Sequence, residues 1–314
     1  MKSQHLFLAF FICIFSLSAE VPTNLKKYVS SDCNTLIGID MKAVLAIPAI
    51  QAALTSGENK ELKQLDDLGL KPQDIDSVII GLNTEKLASD VMAFEKQPDL
   101  ISISNVKEGI TFDKLVTAAE KEKVKTAVKT VSGVRTVELN KDGKVFVMAE
   151  LSPKTIAVGS KDMVMKAISL KSGQASGSIS ENLELSKLAD AQKEIFWVVG
   201  AKPKTNPAAA GDEKPLDNPM NSLFGDLKLF TIGLTYTEKE VKLNSNLICN
   251  TEAGAAQMAM TGQLMTGFLA ASEDSPVKAD QIKFSTEKTT VNIKLNIDTA
   301  AILKAAAAAK NLAE

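Results

Sequence analysis

Histidine is absent from this chain of 314 residues after its first few positions, the only one being His5. There is one arginine, Arg135, and one tryptophan, Trp197, and the three cysteines are Cys13, Cys33 and Cys249. Each scarcity removes a class of chemistry. Serine and cysteine hydrolases of the triad type need an imidazole to take the nucleophile's proton, and residues 20–314 have none. Zinc is recognised by paired Cys or His spacing, which is missing. No glycine-rich phosphate loop follows any expected strand, so no nucleotide cofactor is called for. The expectation is no metal and no cofactor. Aromatic residues make up 5% of the chain, too few for a cleft that stacks sugar rings. A formal net charge of −2 leaves no electrostatic case for nucleic acid. Almost all of the positive charge is lysine, which lacks the planar fork that grips phosphate bidentately.

What is present begins with a leader. Lys2 and His5 precede an apolar run from Leu6 to Phe15, followed by the small residues Ser16, Ser18 and Ala19. This layout reads as a secretory signal peptide over residues 1–19, cut after Ala19 or Ser18. The apolar run is shorter than the ~20 residues of a spanning helix. No later segment is long and apolar enough to cross a bilayer, so the expected destination is secreted or periplasmic, with no transmembrane segment after cleavage. In an oxidising compartment Cys33 and Cys249 are a possible disulfide. Against pairing, Cys249 shares strand parity with Val241, Leu243 and Leu247, which marks it as a small core residue.

With 45% hydrophobic and 24% charged residues the chain has the composition of a folded globular protein. Strand and helix patterns alternate along it. The segments around Leu36–Ile39, SVIIGLN, Ile101 and Ile103, VRTVELN, KVFVMAEL and TIAVG read as strands. Helices are expected from Met41 with a break at Pro48, around Leu62, Leu65 and Leu68, from Thr111, and from Ser160. A similar order follows: Ile195–Val199, FTIGLTY and VKLNSNLIC as strands, a helix from Thr251 to Ala271, QIKFST and TVNIKLNID as strands, and a final helix containing Ala305–Ala309. In TVNIKLNID, Val291, Ile293, Leu295 and Ile297 alternate with polar residues, as burial of one strand face requires. The expected fold is α+β, as two related halves, each a mostly antiparallel sheet with helices packed on one face, with a possible internal duplication. The halves are placed at 20–171 and 193–314, joined by a small, polar connecting segment at 172–192. A proline-containing irregular loop is expected at 202–219.

The search for catalytic groups gives little. Ser104 and Lys107 have S-x-x-K spacing, but on a strand that spacing puts them on opposite faces. ELNKDG, from Glu138 to Gly143, begins like a calcium loop, yet Ala149 occupies the position of the essential glutamate, and NKDG reads as a hairpin turn. Asp40, Asp74 and Asp76 are the best-placed acids for two-carboxylate hydrolysis, and they also read as a helix cap and turn residues. Met258, Met260 and Met265 on one helix read as core packing rather than an adaptable surface, and Trp197 reads as a buried strand residue. No catalytic residue is assigned. The leading expectation is an exported, non-enzymatic binding or interaction protein that takes an unidentified protein or small-molecule partner through exposed sheet faces or loops. The alternatives are a carboxylate-dependent hydrolase, with Asp40 as its acid, and a carrier of an apolar ligand between sheet and helices.

Overall fold

The computed structural model describes residues 23–48, 50–51, 71–84, 99–121, 124–141, 144–202, 225–270 and 278–301. The leader with His5 and Cys13, the expected helix around Leu62, Leu65 and Leu68, the turn residues Asp142 and Gly143, the loop from Pro203 to Pro219 and the run Ala305–Ala309 lie outside the described residues. The chain divides into two compact units, Met1–Phe196 and Trp197–Glu314.

In the first unit, β1 (Thr35–Asp40), β2 (Ile75–Leu82) and β3 (Leu100–Val106) form an antiparallel meander. The other edge of β3 pairs with β7 (Thr155–Gly159), and β6 (Lys144–Ser152), β5 (Val134–Lys141) and β4 (Lys125–Val131) follow outward, all antiparallel. A two-residue turn joins β4 to β5, with Ser132 at φ 48° and Gly133 at φ 76°. Positive φ at both central residues is what a tight hairpin needs to match the strand twist. The helices are α1 (Met41–Val44), α2 (Phe112–Lys121), α3 (Lys161–Lys171) and α4 (Leu183–Ala191).

The two faces of this sheet are covered by different helices. Val106, Val137, Met148 and Ile156 join Phe112 and Val116 of α2 in one core cluster. The alternating neighbours Val147, Ala149 and Ala157 are also buried and point the other way, toward α3, which packs on β6 and β7. The expectation of helices on a single face therefore fails for this unit. The reason is visible in β6, where Phe146, Val147, Met148, Ala149 and Leu151 are all buried: a strand without alternation is apolar on both sides and needs cover on both. On the α3 side, Gly81 permits a close approach. A β-carbon there would lie 2.5 Å from Val29 Cγ1 and 2.9 Å from Cys33 Sγ.

The polar segment Lys171–Ser180 does not stand apart from this unit. Ser178 forms a bridge with Ser30 and caps a short turn, Ile179–Glu181, in which Ile179 is fully buried. Asn182 then caps α4 by accepting the Leu185 N–H at 3.3 Å.

The second unit opens with β8 (Phe196–Ala201), in which Trp197 is buried, and continues in the order β8-β9-β10-β12-β11. β9 (Leu227–Tyr236) and β10 (Glu240–Cys249) are an antiparallel pair, β12 (Thr290–Asp298) pairs with β10, and β11 (Ile282–Glu287) pairs with β12. The helix α5 (Glu252–Ala270) packs across β10, β11 and β12, burying Ala255, Met258 and Ala259 against Cys249 and Val291. Its first turn is anchored by Asp226, whose Oδ2 accepts from Thr251 N and Thr251 Oγ1 at 2.9 and 2.8 Å. The chain is thus α+β, built from antiparallel pairings with helices packed on them.

Candidate functional site

An apolar cleft lies in the first unit between α2 and the sheet. It has a volume of about 80 Å³. Ser102, Ser104 and Val106 of β3, Met148 of β6, and Ile156 and Val158 of β7 form its floor, because they share the same parity in register across the three strands. Ile110 and Leu115 form the helix side, and Lys71, Pro72, Asp74 and Ile75 complete the lining.

Three local devices hold these walls. Gly109 adopts φ 94°, which turns the chain out of β3 and sets Ile110 ahead of α2. The lone Arg135 lies over the Phe112 ring at 4.9 Å, bonds the Asp113 carboxylate, and comes within 3.6 Å of Glu150, so the start of α2 is tied to β5 and β6. That hydrogen bond from Arg135 holds the Asp113 carboxyl below the usual carboxylate range. In the turn before β2, Asp74 Oδ2 accepts the Lys71 N–H at 2.9 Å, and Asp74 O accepts the Lys107 N–H at 2.8 Å. Asp74 is thus a turn-forming residue at the rim of the cleft and the only carboxylate among its lining residues.

The other acids singled out in the sequence are not brought into the cleft. Asp40 is the N-cap of α1, with Oδ1 accepting from Lys42 N at 3.0 Å and Ala43 N at 3.3 Å. Burial raises its pKa above the ordinary carboxylate value, against the lowering effect of those two hydrogen bonds, and the Asp76 charge adds a smaller push upward. Asp76 lies in β2 at the register shift between Ile75 and Ser77. Glu138 meets Lys161 at 3.0 Å and Lys129 at 3.6 Å, and the hydrogen bond from Lys161 is the main cause of its lowered pKa. Of the S-x-x-K pair, Ser104 faces the cleft and Lys107 follows the end of β3. No group of three or more His, Cys, Asp or Glu able to hold a metal ion occurs among the described residues.

Cys33 and Cys249 are buried in different units, and both thiols are unbridged. Burial pushes the Cys33 thiol up to about 12, with Asp32 adding to the effect and Lys166 opposing it. Burial also raises Cys249. Nothing in the polar stretch SSDCN foretold the burial of Cys33; it depends on the space left by Gly81 on a strand distant in sequence.

The cleft itself was not legible in the sequence. Its floor unites residues from three strands, and the sole local trace is Ser102 and Ser104 alternating with Ile101 and Ile103. Among the described residues no helix is long and apolar enough to cross a membrane, which says nothing of strands.

Fold and cleft together define an α+β protein with a small apolar site between helix and sheet. In fold the chain is similar to the crystal structures of TP0453. Crystal form I gives a TM-score of 0.50 at 9% identity, covering 93% of this chain and 99% of that one, and crystal form III gives 0.49 at 10% identity, covering 89% and 97%. No protein-family model and no curated protein matches the sequence.

Proposed function

We propose that this chain is an exported, non-enzymatic binding protein that receives a small apolar group of its ligand in the cleft beneath α2. The observation that carries the reading is the cleft's lining: Val106, Ile110, Leu115, Met148, Ile156 and Val158 surround about 80 Å³ of space. An engineered apolar cavity of about 150 Å³ admits benzene, so this one suits a branched aliphatic group of a few carbons. The hydroxyls of Ser102 and Ser104 on the floor supply the few polar contacts that orient a ligand in such a site. A two-carboxylate hydrolase finds less support, because Asp74 alone reaches the rim and its side chain holds a turn.

The test is a methyl-resolved NMR titration of the full chain with isobutanol. Shifts confined to Ile110, Leu115, Met148, Ile156 and Val158 are expected, and they should vanish in Leu115→Trp, whose ring fills the space. Shifts scattered over the surface, or none, overturn the reading. Export is checked separately by sequencing the N-terminus of the protein recovered from its producing cell, which should begin at Ala19 or Glu20.

A common origin for the two units belongs to the same proposal. Its support is topological: in each unit three successive strands (β1-β2-β3, β8-β9-β10) lead to a helix, and the last strand returns beside the third, as β7 beside β3 and β12 beside β10. In these terms β4 to β7 of the first unit correspond to β11 and β12 of the second, with one hairpin added.

A further inference from the structure

Buried polar groups are as a rule paired, yet two that stand together in the first unit are not. Asp40, the last residue of β1, lies directly opposite Ser77 of β2, so their side chains share one face of the sheet. Ser77 in turn pairs with Asn105, which sits between the cleft residues Ser104 and Val106 and so points to the face away from the cleft. Ser77 is 2% exposed, and its Oγ has no hydrogen-bond partner. The Asn105 carboxamide oxygen turns the other way, accepting from Thr155 Oγ1 at 3.2 Å. Asp40 is 3% exposed, and its cap on α1 uses Oδ1 alone. Among the described residues Oδ2 accepts no hydrogen bond and the carboxylate has no ion pair, Lys42 being exposed.

A second carboxylate is at hand. Asp76 is the residue left over where β2 slips by one against β3, between Ile75 opposite Val106 and Ser77 opposite Asn105. Such an extra residue is freed from the pairing and bends its strand. Asp76 is half-buried, its charge acts on Asp40, and it has no hydrogen bond or ion pair among the described residues. Neighbouring carboxylates repel, a buried charge without a partner is costly, and so is an orphaned hydroxyl. One bound cation relieves all three, since each of these oxygens has a lone pair to give.

We propose that a calcium ion binds here, with Asp40 Oδ2, the Asp76 carboxylate and Ser77 Oγ as its protein ligands and waters in the remaining positions. Oxygen ligands alone select a hard cation over zinc or copper. Calcium accepts irregular sets of about six to eight oxygens, whereas magnesium demands a near-ideal octahedron and gives up its waters reluctantly. A strand irregularity beside a helix cap suits the larger, more tolerant ion. A monovalent ion would leave one of the two charges uncompensated. The site departs from the expectation of no metal, and with two acids and a hydroxyl it falls short of any group of three His, Cys, Asp or Glu.

The test is calorimetric titration of the chelator-stripped full chain with calcium chloride and, separately, with magnesium chloride. Calcium should bind with a Kd of about 10⁻⁴–10⁻³ M, as in extracellular modules, and magnesium at least about tenfold more weakly. Saturating calcium should raise the Tm. Asp40→Asn keeps the capping oxygen and Ser77→Ala removes only an unpaired hydroxyl, so both should stay folded in chelator. The first should abolish calcium binding, Asp76→Asn should weaken it about tenfold, and Ser77→Ala about fivefold. Amide signals of Lys42, Ala43 and Ser77 should move with calcium while the methyls of Ile110 and Leu115 do not, which keeps this result apart from the cleft titration. No calcium binding, magnesium binding of equal strength, or unaltered binding in the Asp40→Asn or Asp76→Asn variant overturns the proposal.

Discussion

Ile156→Ala tests the cleft at its floor. Ile156 is buried on β7, packs in the cluster with Phe112, Val116, Val137 and Met148, and lines the cleft. Its replacement removes three buried carbons, a loss of about 2.4 kcal/mol in transfer free energy at ~0.8 kcal/mol per methylene. In a close-packed interior those carbons occupy roughly 80 Å³. If the walls hold, the cavity term at ~24 cal/mol per Å³ adds about 2 kcal/mol, and the total of about 4 kcal/mol falls within the range observed for such truncations. The enlarged space reaches about 160 Å³, comparable to the ~150 Å³ of a dry apolar cavity that takes up benzene. Urea denaturation should show the loss at an unchanged m-value, and benzene should shift the methyl signals of Leu115, Met148 and Val158 in the variant and not in the parent. A folded variant that loses less than about 1 kcal/mol and does not respond to benzene refutes the packing described here.

Three further outcomes follow from the structure. In Gly159→Ala the new β-carbon would lie 2.3 Å from Leu100 O and 2.9 Å from Ile101 Cα, both backbone atoms of the paired strand. A loss of about 2–4 kcal/mol in chemical denaturation is expected, and a change under 1 kcal/mol would mean that β3 and β7 are not so closely paired. For Asp40, a folded-state pKa raised above the unfolded one means that folding favours the protonated form; this contribution is full below the unfolded pKa and is lost as pH rises through the folded one. Asp40→Asn keeps a capping oxygen and removes the buried charge, so its stability relative to the parent should increase from acid to neutral pH, whereas Asp40→Ala should lose about 1 kcal/mol with the cap. A flat pH comparison between Asp40→Asn and the parent would contradict the burial of the charge. Cys33, buried with its thiol pushed up to about 12, should resist iodoacetamide at pH 8 in the native protein and react after unfolding without reductant; rapid native labelling would show that its seat beside Gly81 is open.

The strands were legible wherever one face alone is buried. Val291, Ile293, Leu295 and Ile297 alternate in sequence and lie on one face of β12, and Met163, Val164, Ala167 and Ile168 mark the buried side of α3. β4 was missed as a strand, although Thr126, Val128 and Thr130 are β-branched at alternate positions and Ser132-Gly133 is a turn signal. Its side chains are mostly exposed, with Val128 at 53%, so hydrophobic alternation is faint there. The small polar run before α4 has the composition of a connector, which does not reveal that Ile179 finds a buried seat.

By itself the sequence determined local character: which segments extend, which coil, where Asp40 caps, and that no histidine follows His5, since these depend on side-chain chemistry and on spacings of two or three to four residues. Register across strands distant in the chain was decided only by tertiary structure. It placed helices on both faces of the first sheet, gathered the cleft from β3, β6, β7 and α2, and set Asp40 against Ser77. Each of these depends on which residue lies opposite which, and strand pairing fixes that through packing and hydrogen bonds that no local pattern encodes.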